Sequence, residues 1–188
     1  FGFKSSPPTH PRLLDWLAAE LVEGKWTLKR MHKLIMMSST YRQSSRHPDQ
    51  QQYRQKDFLN ESWWRFNRRR LDSEALRDAM LAVSGRLNPK MGGPSFYPRM
   101  SKEALEGLSR KSSAWGTSTP SERSRRSIYM MTKRSRLLPL MTTFDFTDTT
   151  LPCGQRDVTT VPTQSLALLN NHFVHDQSAA MARRIQKE

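Results

Sequence analysis

Two carboxylates in the C-terminal half of the chain are spaced so that they could act together. Asp145 and Asp148 lie in the stretch TTFDFTDTT, among threonine hydroxyls. Paired carboxylates serve as general acid and base in hydrolysis, and they also bind hard cations. Short aspartate and threonine side chains are, however, commonly used to stabilise turns. We therefore predict turn capping, with a hydrolase that uses Asp145 and Asp148 as the alternative.

The one cysteine, Cys153, lies three residues before Arg156. A nucleophilic thiolate needs a base or a positive charge beside it, and Arg156 could supply the charge. We predict instead a buried, unreactive thiol, and keep a hydrolase that uses Cys153 as a second form of the enzyme alternative. Because the chain has one cysteine, an intrachain disulfide, a cysteine-based zinc site and the C-x-x-C-H haem motif are excluded.

Two histidines near the end of the chain have a spacing that would suit a metal ion. His172 and His175 are three residues apart, so both can face one side of a helix. No H-E-x-x-H pattern surrounds them, and further ligands would have to come from Asp145, Asp148 or Asp157. We therefore predict structural histidines. Over the whole chain we expect no catalytic residue, no metal site and no bound cofactor.

An aromatic and basic cluster, WWRFNRRR, spans residues 63–70. Proteins that bind single-stranded nucleic acid stack bases on aromatic rings and contact phosphates with cations. Trp63, Trp64 and Phe66 could provide such rings beside the arginines. A nucleic-acid-binding domain that uses this arginine and tryptophan cluster is therefore a further alternative.

Acidic residues follow that cluster closely, which weakens the case for phosphate binding. Arg70 lies four residues before Glu74, and Glu74 lies three before Arg77, the spacings of oppositely charged neighbours on a helix. We favour a structural network in which arginines hold carboxylates and loop carbonyls while the tryptophans lie in the core. The residues of this predicted network are Arg68, Arg69, Arg70, Asp72, Glu74 and Arg77.

The chain is strongly basic, with 31 lysines and arginines against 17 aspartates and glutamates and a formal charge of +14 over 188 residues. This charge favours a polyanionic polysaccharide or an anionic surface as partner, although the same charges could simply solvate a loop. No base-reading motif is present, so we expect no sequence-specific nucleic acid, and no apolar run of about 20 residues could span a membrane. The predicted polyanion-binding residues are Arg110, Lys111, Arg123, Arg125, Arg126, Lys133, Arg134 and Arg136.

Helical periodicity dominates the elements that carry these residues. Apolar stripes with helix start and stop signals predict helices from Pro11 to Gly24, from Thr27 onward, from Asp72 to Gly85, and in two segments after Pro162. The fold class is therefore mainly α. We predict a single helical domain over residues 1–188, with long irregular loops and at most a short β-hairpin.

Two segments interrupt the helical pattern. Residues 96–126 are rich in glycine, proline, serine and charge, and they predict a flexible basic excursion. The following run RSIYMM, at residues 126–131, is the best strand candidate, although short apolar runs are ambiguous.

Six blocks of the sequence occur in a recognisable order: PPTHPRLLDWLA, KRMHKLIMMSSTYRQSS, RRRLDSEALRDAMLAVSG, GGPSF, RRSIY and CGQRDVTTVPTQSLALLNNHFV. Together they resemble a planctomycete-specific domain of unknown function, the C-terminal domain of large proteins that often carry cytochrome-c-like modules. The resemblance covers nearly the whole chain. It implies an exported protein, periplasmic or at the cell surface, in which haem belongs only to an upstream module. It also implies that the chain is an N-terminally truncated piece of a longer domain.

The residues and the resemblance together predict a non-catalytic structural or interaction module. We expect its partners to be other domains of the same polypeptide, such as the cytochrome-c-like modules, and a polyanion or anionic surface.

Overall fold

The computed structural model describes residues 6–100, 115–134, 136–154 and 156–187. Over these residues the protein is mainly helical, as predicted, and pairing of extended segments is limited to isolated bridges. None of the described helices is both long and apolar enough to cross a bilayer. The described α-helices are α1 (Pro11–Glu23), α2 (Leu28–Met37), α3 (Gln50–Lys56), α4 (Ser73–Val83), α5 (Pro120–Arg123), α6 (Pro139–Thr143), α7 (Pro162–Asn170) and α8 (His172–Ile185).

The chain divides into two compact units, Phe1–Arg69 and Arg70–Glu188. The first unit contains α1 to α3, and the second contains α4 to α8. The expectation that residues 1–188 form one domain stays a prediction.

The short link through Gly24 and Lys25 predicts a helix hairpin, and the first unit contains this hairpin as α1 and α2. Lys25 and Trp26 have φ angles of 54° and 60°, and these two left-handed residues reverse the chain between the helices. A salt bridge from Arg30 to Glu20 then joins α2 to α1. The short link expected from the sequence is therefore confirmed.

The second unit has its core around α4, which packs against α6, α8 and a 3₁₀ turn at Ser127–Tyr129. The face that α4 buries differs from the predicted one. Apolar spacing predicts a stripe of Leu76, Ala79, Met80 and Val83, but Val83 is 52% exposed and the buried residues are Ser73, Arg77 and Leu81. The spacing of apolar residues could not show that an arginine lies on the buried face. The buried apolar side chains are Leu81, Phe96, Leu140, Met141, Phe144 and Ala180.

The segment RSIYMM, predicted as a strand, forms the 3₁₀ turn instead. The backbone N–H and the hydroxyl of Ser127 both donate to the Asp78 carboxylate at 2.7 Å. Side-chain bonding of this kind competes with a strand ladder for the backbone. Only Met130 pairs in an extended manner, through a single bridge to Phe96.

The last two helices follow the sequence pattern closely. Asn171 separates α7 from α8, and its side chain accepts a hydrogen bond from the N–H of Phe173 at 2.9 Å. Gln164 in α7 is only 6% exposed. A buried glutamine at this position of the sequence is expected to bond to backbone and so tie the helix to the preceding loop. Its amide donates to the carbonyl oxygens of Thr143 and Thr159 at 3.1 and 3.2 Å, which confirms the expectation.

Candidate functional site

A surface cleft in the second unit gathers several residues that the sequence singled out. Its volume is about 490 Å³, which lies within the range of sites that hold small ligands. We call it the α4 cleft because the first turns of α4 form one wall. The cleft is lined by Asp72, Glu74, Ala75, Asp78, Arg126, Ser127, Ile128, Met130, Thr132, Phe146 and Arg156.

One wall of the α4 cleft is held by the ion pair between Glu74 and Arg156. The guanidinium donates to both carboxylate oxygens, at 2.7 and 2.8 Å. Burial alone would raise the pKa of Glu74, but the bonds from Arg156 outweigh it and keep that pKa below its ordinary value. The bonds to Glu74 in turn raise the pKa of Arg156. The pair is therefore fully charged at neutral pH.

A second network joins three segments that are distant in sequence. The Asp145 carboxylate accepts hydrogen bonds from the Arg70 guanidinium and from the N–H and hydroxyl of Thr159, the last two at 2.8 Å. Arg70 also donates to the carbonyl oxygen of Thr159. Since Arg70 precedes α4, Asp145 follows α6 and Thr159 precedes α7, this network fixes the ends of three helices.

The two carboxylates considered for hydrolysis, Asp145 and Asp148, have lowered pKa values, which makes them less suited to act as a general base. The backbone N–H of Thr159, assisted by Arg70, lowers the pKa of Asp145. The hydroxyl and N–H of Thr150 lower the pKa of Asp148 and make it a turn cap, as predicted. A general base works best when its pKa lies near the working pH. Both carboxylates are weaker bases than usual.

Arg77 is buried, with 4% of its surface exposed. Its guanidinium donates to the carbonyl oxygens of Arg123 and Arg125 at 2.5 and 3.0 Å and to the Ser127 hydroxyl at 3.1 Å. Desolvation lowers the pKa of Arg77 to about 10, against the opposing charge of Asp78. Arg77 therefore joins α4 to the turn that follows α5.

The arginines of the predicted network do hold carboxylates and carbonyls, but not through the helical spacings that suggested the network. Arg70 lies before α4, which begins at Ser73, so it has no helical neighbour and contacts Asp145 instead. Glu74 pairs with Arg156.

The other members of the predicted network contribute less. Asp72 is the N-terminal cap residue of α4, yet its side chain makes no capping hydrogen bond. Arg68 and Arg69 are exposed and belong to the first unit. Only part of the predicted network is therefore brought together.

Arg125, predicted to contact a polyanion, is completely buried at 0% exposure. Its guanidinium donates to the carbonyl oxygens of Lys90, Gly92 and Pro94 and to the Glu122 carboxylate. A side chain enclosed in this way cannot reach a polyanion in solvent, so Arg125 is not part of an exposed polyanion-binding surface. We call Arg125 and the three carbonyls the Arg125 clasp, because together they hold the glycine-containing loop against α5.

The remaining basic residues of that prediction differ in exposure. The Arg126 side chain is 59% exposed, and its Nε lies 3.7 Å from the Asp78 carboxylate in the α4 cleft. Arg134 is exposed as well, whereas Arg123, Lys133 and Arg136 are half-buried. Arg126 and Arg134 are therefore the two of these that are most open to solvent.

The predicted flexible excursion over residues 96–126 is described only at its ends. Residues 101–114, which include Arg110 and Lys111, lie outside the described residues. At the described ends, Phe96 is 1% exposed and the indole of Trp115 donates to the carbonyl oxygen of Pro98 at 2.9 Å. These ends are therefore packed into the second unit.

The two tryptophans of the cluster at residues 63–70 stack on other rings. Trp63 lies on His10 with ring centroids 4.0 Å apart, and Trp64 stacks on Tyr53 at 5.6 Å. Trp63 is nevertheless 37% exposed. The prediction that the tryptophans lie in a core is therefore wrong for Trp63, which is covered on one ring face by a histidine.

The cysteine and the histidine pair are placed differently from what the sequence predicts for the thiol. Cys153 is exposed, so the prediction of a buried thiol is wrong. The guanidinium of Arg156 is bonded to Glu74 and also interacts electrostatically with Cys153. His175 Nε2 lies 2.6 Å from the carbonyl oxygen of Leu169. Within the part of the chain that the structure describes, no group of three metal-binding side chains is present.

Sequence reasoning missed the importance of Asp78 and Thr159. Asp78 accepts from Ser127 and lies beside Arg77 and Arg126, yet one acidic residue on a helix resembles an ordinary solvated position. Thr159 acts through long-range contacts for which a single sequence carries no signal. The block CGQRDVTTVPTQ did single out this segment, without showing what it contacts.

Comparison with known proteins gives one match. The model of a family described as "Protein of unknown function (DUF1553)" matches residues 1–188, the full length of the chain. Neither the curated proteins nor the solved structures contain a match to the chain.

Proposed function

We propose that this chain, which belongs to the family described as Protein of unknown function (DUF1553), is a non-catalytic structural and interaction module. The resemblance drawn from the sequence is confirmed as far as an uncharacterised domain family. The finer features of that resemblance remain part of the proposal: a planctomycete-type, exported protein with cytochrome-c-like modules upstream, located in the periplasm or at the cell surface.

The observation that carries the proposal is the way the carboxylates of the second unit are bonded. Asp145 is bonded to Arg70 and Thr159, and Glu74 is bonded to Arg156 at two points. Carboxylates held in this way have lowered pKa values and few free lone pairs, which suits architecture better than proton transfer. The same bonds tie the loop before α7 to α4 and α6, so removing them would cost structure.

The basic charge supports contact with polyanions. Arg126 and Arg134 are exposed on the second unit, and the whole chain carries a formal charge of +14. Exposed guanidinium groups bind phosphate, sulfate and carboxylate through paired N–H donors. We propose a polyanionic polysaccharide or an anionic surface as the external partner, beside the other domains of the same polypeptide.

Binding across a salt series tests this function. We expect heparin, a second sulfated polysaccharide and mixed-sequence DNA all to bind at low salt, with affinities that fall steeply as salt rises. Arg134→Gln should reduce the salt slope by about one contact. Arg12→Gln, which removes the same charge from an exposed position of α1, is the matched control and should leave the slope unchanged.

Two results would count against the proposal. Absence of binding to all three polymers at low salt would mean that the positive charge only solvates the protein. A strong preference for one nucleic-acid sequence that survives physiological salt would indicate base recognition by the arginine and tryptophan cluster.

A further inference from the structure

We infer that the α4 cleft binds one anionic sugar unit of a polysaccharide, with its carboxylate or sulfate on Arg126 and its hydroxyls on Asp72. This inference rests on the proposed polyanion contact and names the site and the ligand chemistry. It follows from which polar groups of the cleft are already bonded and which are open.

Most charged groups that line the α4 cleft are already bonded within the protein. Glu74 and Arg156 bond each other at two points. Asp78 accepts two hydrogen bonds from Ser127. These groups shape the cleft but have little capacity left for a ligand.

Arg126 and Asp72 are the charged groups of the cleft that are most exposed to a ligand, although Arg126 makes a long ion pair with Asp78 and Asp72 interacts electrostatically with Arg156. The Arg126 side chain is 59% exposed and lies 3.7 Å from Asp78, which is longer than a hydrogen bond. A guanidinium has five N–H donors in a planar fork that fits a carboxylate or sulfate. Asp72 is exposed and makes no capping bond to α4, so its carboxylate can accept from hydroxyls. Thr132, also exposed, adds another hydroxyl at the rim.

The rest of the lining is apolar. Ile128 is 75% exposed, and Met130 and Phe146 also line the cleft. A sugar ring presents hydroxyls at its edge and C–H groups on its faces, so such a lining can pack against the ring while the polar groups meet its edge. A cleft of about 490 Å³ is large enough for a ligand of this size.

The open carboxylate favours a sugar over an acidic peptide. The side chains of an acidic peptide present a carboxylate and no hydroxyl donor. An anionic sugar unit presents one charged group together with several hydroxyl donors. That combination matches a cleft that contains one solvent-exposed guanidinium, Arg126, and one solvent-exposed carboxylate, Asp72.

Calorimetric titration of the chain at low salt tests the inference with three probes: tetragalacturonate, a sulfated heparin tetrasaccharide and an end-blocked tetraglutamate peptide. We expect Arg126→Gln to weaken binding of at least one sugar about tenfold, because the variant loses one charge-assisted hydrogen bond to the ligand. The sugar that is affected identifies carboxylate or sulfate as the ligand group. Arg134→Gln, the matched control outside the cleft, should weaken all three probes slightly and equally.

Asp72→Asn separates sugar binding in the cleft from non-specific polyanion binding, because the two predict changes in affinity of opposite sign. The Asp72 side chain makes no capping hydrogen bond that the substitution could remove, so α4 should be preserved. Removing a negative charge strengthens non-specific polyanion binding, whereas replacing a charged acceptor by one neutral amide oxygen weakens the hydrogen bonds to sugar hydroxyls. We expect weaker binding of the sugar that Arg126→Gln affects.

The remaining outcomes separate this inference from the proposed function. Equal effects of Arg126→Gln and Arg134→Gln, or stronger sugar binding by Asp72→Asn, would overturn the cleft as a site while leaving polyanion contact intact. An Arg126→Gln effect confined to the peptide would overturn the sugar assignment. Absence of binding by every probe and by heparin would overturn the proposed function and this inference with it.

Discussion

The side chain of Arg77 shows how a charged residue can be structural. Its guanidinium is almost fully buried and donates to two backbone carbonyl oxygens and to the Ser127 hydroxyl. Burial of an ion is costly unless its donors are satisfied. Arg77 meets this condition because its donors are bonded to the carbonyl oxygens of Arg123 and Arg125 and to the Ser127 hydroxyl.

Arg77→Ala should destabilise the protein strongly, by about 3 to 5 kcal/mol, because it leaves buried carbonyl groups unbonded and opens a cavity. Arg134→Ala, at an exposed position, should change the free energy of unfolding by less than about 0.5 kcal/mol. Urea unfolding of both variants measures the difference. Equal stabilities of the two variants would contradict a structural function for Arg77.

The carboxylates of Glu74 and Asp145 should make stability depend on acidic pH. Both have folded-state pKa values below their ordinary values of 4.5 and 3.8. The unfolded chain then binds more protons over this range, so stability is fully present above about pH 5 and is lost as pH falls through the lowered folded values. Glu74→Gln should therefore lower stability at neutral pH and flatten its fall in acid.

Urea unfolding from neutral pH down to about pH 2.5 measures this dependence. Glu23→Gln, at an exposed position of α1, is the control and should retain the full fall in stability. A Glu74→Gln variant with the same acid dependence as the unmodified protein would show that the Arg156 pair contributes nothing.

At the scale of elements, the Arg125 clasp explains why a glycine-containing loop is held against α5. The loop carbonyls of Lys90, Gly92 and Pro94 all accept from one guanidinium. Gly92 and Gly93 have φ angles of 71° and 80°, which favour glycine, so the sequence GGPSF suits this turn. The guanidinium of Arg125 thus provides the loop with hydrogen bonds that a neighbouring β-strand would otherwise supply.

Arg125→Ala should therefore increase amide hydrogen exchange in residues 88–96, because the clasp carbonyls lose their shared donor. Exchange followed by mass spectrometry, peptide by peptide, measures this effect. Arg126→Ala changes the neighbouring, exposed arginine and should leave exchange in this loop unchanged. If both variants exchange at the rate of the unmodified protein, the clasp does not restrain the loop.

The elements that the sequence predicted well are those whose information is local. Such signals act within a few residues of the chain. Examples are Pro11 and Gly24 at the two ends of α1, the link through Lys25, and the interruption of the last helices at Asn171. Gln164 was also anticipated, because a polar residue beside an apolar helical run needs a bonding partner.

The elements that the sequence predicted poorly depend on distant contacts. The short apolar run of this segment indicated a strand. The turn at Ser127–Tyr129 forms instead because Asp78 and Arg77 from α4 bond its polar groups, and these contacts are not visible in the local sequence. Arg125 resembled its exposed neighbour Arg126 in sequence although one is buried and the other open. Arg70 fitted a helical spacing that does not apply, since α4 begins three residues later.

At the scale of the whole molecule, the charge and the ion pairs have different functions. The chain has 31 basic residues against 17 acidic ones, and several of the acidic residues are bonded to arginines inside the second unit. In the proposed function, the arginines that stay exposed contact polyanions, whereas the bonded arginines hold the fold together. This division is the basis for the proposed function as a structural and interaction module.

The melting temperature of Asp145→Asn tests this central claim most directly. We expect a fall of several degrees, since losing about 1 to 2 kcal/mol in a chain of this size lowers the melting temperature by about 2 to 4 °C per kcal/mol. Asp148→Asn, which alters only a local turn, is the control and should change it by much less. A melting temperature that is unchanged in Asp145→Asn, together with loss of a hydrolytic activity detected in the unmodified full-length protein on glycoside, sulfate-ester or peptide substrates, would contradict the account.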